Sequence, residues 1–165
     1  MTENNKSHFI GEKLQDLLER NFDAQEGFKQ AMEDTHNHHL KRFFFAKAVQ
    51  RGEFIAELEQ RIKNLKEESK KEGTIAGTVH RAWIGFKTAF AGKNDEEVLE
   101  ECIRGEKTIL EEYEDGFKYV NFPPAVGEIL RYQMREIQKT LDEIKSLEDL
   151  QERKWDADKD FASKV

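Results

Sequence analysis

Apolar residues recur three and four positions apart along most of this chain, the spacing that gathers them on one face of an α-helix. The first such stripe holds Ile10, Leu14, Leu17, Leu18, Phe22, Phe28, Ala31 and Met32 and predicts a helix over 9–34. Thr35, His36 and Asn37 interrupt it. A second stripe, Leu40, Phe44, Ala48, Ile55, Leu58, Ile62 and Leu65, predicts a helix over 38–70. So short a connection makes these two helices antiparallel neighbours. Gly73 and Gly77 mark a break, after which Ile75, Val79, Trp83, Phe86 and Phe90 predict a shorter helix over 74–91. Asn94 followed by Glu97 has the form of a capping box and opens a helix over 95–119, with Leu99, Cys102, Ile109, Tyr113 and Phe117 inward. Phe122-Pro123-Pro124 stops it. Pro124 suits the first turn of a last long helix, 124–150, carrying Val126, Leu130, Ile137, Leu141, Ile144 and Leu147. Residues 1–7 read as a flexible terminus and 151–165 as a charged tail.

These elements predict an all-α chain: a four-helix bundle with a helical crossover between its second and third long helices. Segment 74–91 would be about 27 Å long as a helix, enough to carry the chain from one end of the bundle toward the other. At 165 residues the chain suits one domain with a real core. Its net charge of −7 argues against a nucleic-acid partner, because neutralising phosphates needs a positive surface. No run is apolar enough for a membrane span. Cys102 is the single cysteine, and Met1 to Ser7 carries no apolar leader, so the expected compartment is the cytoplasm.

The stripes are broken by polar residues near mid-helix. The four-three spacing runs Leu18, Asn21, Gln25, Phe28 in the first helix, Ala48, Arg51, Ile55 in the second, and Cys102, Glu106, Ile109 in the third. Folding the chain back near residue 36 sets Asn21 level with Arg51, and Glu106 falls at the same height. Gln133 and Gln138 flank that level on the fourth helix. A lone buried Arg or Glu would be costly, so Arg51 and Glu106 are expected to pair, with Asn21, Gln25 and Gln133 completing a buried polar layer. Gly52 and Gly105 adjoin the pair and are expected to let neighbouring backbones approach. The competing reading has both charges snorkelling to water from the edge of the stripe.

Several strings occur in a telling order: Gln25-Glu26-Gly27-Phe28, Gln50-Arg51, Gly77-Thr78-Val79-His80-Arg81-Ala82-Trp83, Asp95-Glu96, Arg104-Gly105-Glu106, Tyr113 and the Pro-Pro break. Over about residues 8–148 the chain resembles an uncharacterised bacterial family of ferritin-like four-helix-bundle proteins of unknown function. That resemblance implies a ferritin-like bundle and suggests a stress or storage-state role. Members often carry a histidine in the last helix where this chain has Leu141.

Di-metal bundles need Glu-x-x-His pairs directed at one interior point. Here His8, His36, His38, His39 and His80 all sit near helix ends or in connections, and Glu53, Glu57, Glu101, Glu106 and Glu136 form a carboxylate set without imidazole. No metal, cofactor or catalytic residue is therefore expected. Cys102 lies on an apolar stripe and reads as core filler. The expected function is non-enzymatic and works through contacts with a protein partner or a second copy. Phe43, Phe45, Trp83, Phe90 and Trp155 are the interface candidates where they are exposed, since Phe43-Phe44-Phe45 cannot all face one core unless the crossover covers the outer ones. The rival function is a degenerate ferritin-like di-metal oxidase or metal-storage protein.

Overall fold

The computed structural model describes residues 2–69 and 89–152. Helix α1 spans Glu3–Asp34, where Thr2 caps the first turn by accepting from the Asn5 N–H. It therefore begins well before the expected residue 9, because a capped polar turn extends a helix as readily as an apolar one. Asn37 opens α2, His38–Ser69: its side-chain oxygen accepts from the N–H groups of His39 and Leu40. Gly92 turns the chain into α3 with a φ of +72°, a conformation that an L side chain resists. Helix α3 spans Asp95–Tyr119, and Asn94 with Glu97 forms a reciprocal capping box at its start. Helix α4, Pro124–Glu143, starts with proline in its first turn.

The last long helix stops at Glu143, short of the expected residue 150. Asp149 accepts from the N–H groups of Lys145 and Ser146, and Glu96 on α3 accepts from Leu147 N–H, which fixes a bend before the short α5, Leu147–Glu152. Apolar spacing continues through Ile144, Leu147 and Leu150, so periodicity alone did not reveal the bend. Most of the predicted 74–91 helix lies outside the described residues, as do residues 153–165.

All five described helices are α-helices and no strand occurs among the described residues. Their directions follow from which ends share a core. At one end Ile10 and Leu14 of α1 meet Ile62 and Leu65 of α2, Tyr113 of α3, and Val126 of α4. At the other, Phe28 and Ala31 meet Leu40 and Phe44, Val98 and Leu99, and Ile144 just past α4. Helices α2 and α3 consequently run the same way, and α1 and α4 run opposite to them. Ser69 and Ala89 thus stand at opposite ends. Helix α1 packs beside α2 and α3, α4 packs beside the same two, and α2 faces α3 across the diagonal. No helix among the described residues is long and apolar enough to cross a membrane.

Candidate functional site

The two apolar clusters meet a polar layer at mid-height. Arg51 lies within α2 and is fully buried, with 0% of its surface exposed; Glu106 on α3 is 3% exposed. Across the diagonal of the core, Arg51 Nη2 donates to Glu106 Oε1 at 2.6 Å and Oε2 at 2.5 Å. The guanidinium also lies over the Phe54 ring, 5.1 Å from its centroid. Such a pair survives burial because each charge supplies the other's missing solvation.

A chain of hydrogen bonds continues from the other side of Arg51. Its Nη1 donates to Asn21 Oδ1 at 3.4 Å, and Asn21 Nδ2 donates to the Tyr113 hydroxyl at 2.8 Å. Tyr113 donates to Gln133 Oε1 at 2.6 Å, and Gln133 Nε2 donates to Glu57 Oε2 at 2.7 Å. Every donor in this chain points away from Arg51, and both ends finish on a carboxylate. The cation thus sits between two anionic termini, with neutral groups relaying its polarity toward Glu57. All four long helices contribute a side chain.

Lys47 enters the same electrostatic group from one turn before Arg51. Its Nζ donates to Thr140 Oγ1 at 2.7 Å and lies 5.8 Å from the Phe43 ring centroid. Burial, partly offset by attraction to Glu106, pulls the Lys47 pKa down to about 8; Arg51 lowers it further, while Glu136 and Glu143 raise it. Burial also pushes the Tyr113 hydroxyl well above its usual range, keeping it a proton donor. Cys102 is raised by burial first, then by Glu106 and Glu101, so it stays a thiol.

The expected layer residues occupy different places. Asn21, Arg51, Glu106 and Gln133 are buried in the chain of contacts described above. Gln25 stands at its margin and donates to the Ala48 carbonyl at 3.1 Å. Gln138 is exposed and donates to Asp142 at 2.8 Å. Gly52 does permit a close approach, but of a side chain: a Cβ there would meet Gln25 Nε2 at 2.8 Å. Gly105 does not, since a Cβ there meets nothing within 4 Å. Two expected interface residues are also corrected. Phe43 is 2% and Phe90 6% exposed, because both are absorbed into the apolar cluster around Phe28 and Leu99. Phe45 is half-buried, and Trp83 and Trp155 lie outside the described residues.

Three participants were not foreseen in these roles. Tyr113 stood on the apolar stripe, yet a buried phenol needs a partner for its hydroxyl, and that requirement was the available signal. Glu57 was counted only as a spare carboxylate. Lys47 carried no signal beyond lying one turn from Arg51. Among the described residues the mid-height donor set does not suit a di-metal centre: the Arg51 guanidinium already engages both Glu106 oxygens, and no imidazole stands beside them. Among the described residues no group of His, Cys, Asp and Glu converges as metal ligands would.

Residues 10–118 match the model of a family described as a domain of unknown function, DUF2383. The chain belongs to the DUF2383 family. The matched span runs from α1 to the last turn of α3 and so contains Asn21, Gln25, Arg51, Glu106 and Tyr113. The α4 contribution, Gln133, lies beyond it, so the DUF2383 match is shorter than the resemblance over 8–148. No curated protein matches the chain.

Proposed function

We propose that the chain is a non-enzymatic, ferritin-like four-helix bundle, crosslinked internally by an ion pair, that works through protein–protein contacts. Two features support the bundle reading: four long helices share one interior, and α2 and α3 run in the same direction, which requires the chain to cross the bundle's length between them. The observation that carries the functional reading is the Arg51–Glu106 contact. In a metal-using bundle an interior carboxylate finds its counter-charge in an ion; here Glu106 finds it in Arg51. A bacterial, cytoplasmic and stress-related setting belongs to the same proposal and draws on the lone Cys102 and the resemblance.

The surfaces for contact are those that keep aromatic area in solvent. Phe9 is 45% and Tyr119 75% exposed, and they flank one cavity of about 470 Å³ at the end of the bundle where α1 begins and α3 finishes. Elemental analysis of protein purified without a histidine tag from iron- and manganese-rich culture tests the reading. Metal far below one equivalent per chain is expected. Stoichiometric iron or manganese would overturn it in favour of the di-metal oxidase or storage protein.

A further inference from the structure

We draw no further inference here: the strongest candidate, the hollow between α1 and α3 beside Gly27, Phe28 and Gly105, carries nothing, because its carboxylates Glu101 and Glu106 are already paired with cations of the chain and nothing in the structure shows what covers it.

Discussion

The interior changes character along the helix axes. Toward either end it is hydrocarbon, built on Leu14, Leu58 and Leu130 in one cluster and on Phe44, Leu99 and Ile144 in the other. Between them it is a layer of charge and hydrogen bonds centred on Arg51. Apolar contacts are non-directional, so the end clusters supply burial energy but tolerate several packings. The middle layer is directional: Arg51 must find Glu106 on α3 and Asn21 on α1, while Tyr113 must find Gln133 on α4. A helix rotated or shifted by one turn would strand those groups, at a cost that a slipped leucine does not incur. Stability resides at the ends and helix register in the middle.

That division can be attacked from either side. Leu99→Ala should cost about 2–5 kcal/mol in denaturant unfolding, whereas Leu99→Met should cost less than about 1.5, as expected of hydrocarbon packing. Equal losses would mean that the end cluster is as exacting as the middle. Tyr113→Phe keeps the ring and deletes the relay, leaving Gln133 Oε1 without its donor, and should cost about 1–3 kcal/mol. A loss near zero would show the relay to be dispensable.

Lys47 gives the comparison a pH axis. Its folded pKa, about 8, lies below the ordinary 10.5, so the unfolded chain holds the proton more tightly. Below pH 8 both states are charged and the burial penalty is fully felt. Between 8 and 10.5 the folded state releases its proton first, and stability from this group rises with pH by up to ~1 kcal/mol per unit. Cys102 and Tyr113 work the other way, since their raised folded values cost stability as the unfolded groups ionise. The difference between wild type and Lys47→Met isolates the lysine: it should shift in favour of wild type from pH 8 to 10. Parallel profiles would place Lys47 outside the layer's electrostatics. The smallest effect is at Gly105, where alanine removes a helix-interior glycine and enters open space; Gly105→Ala should stabilise by about 0.5–1 kcal/mol, read as a higher midpoint.

The elements were legible where pattern and punctuation agreed. The Asn94–Glu97 box and the Pro123-Pro124 stop are local signals that tertiary packing had no reason to override. The height of Arg51, Asn21 and Glu106 followed from the fold-back near residue 36, because polar breaks at one level in three stripes have to be accommodated together. The relay was hidden because tyrosine on an apolar stripe looks like core, and a hydroxyl's partner depends on rotamers that spacing does not encode. Lys47 was hidden for the opposite reason: on a helix rich in charge, one half-buried lysine resembles its solvated neighbours. Whether Phe43 and Phe90 face solvent or the core was open, because apolar residues beyond one stripe signal burial against something, without saying what; both are buried.

The claim beneath all of this is that Arg51 and Glu106 are mutually dependent buried charges. Urea unfolding of Arg51→Leu, Glu106→Leu and the double variant measures that dependence. Each single change should cost about 3–5 kcal/mol, because it leaves one charge buried without its partner, and the double variant should recover most of that loss. Additive losses, with the double variant as damaged as the two singles combined, would contradict the account.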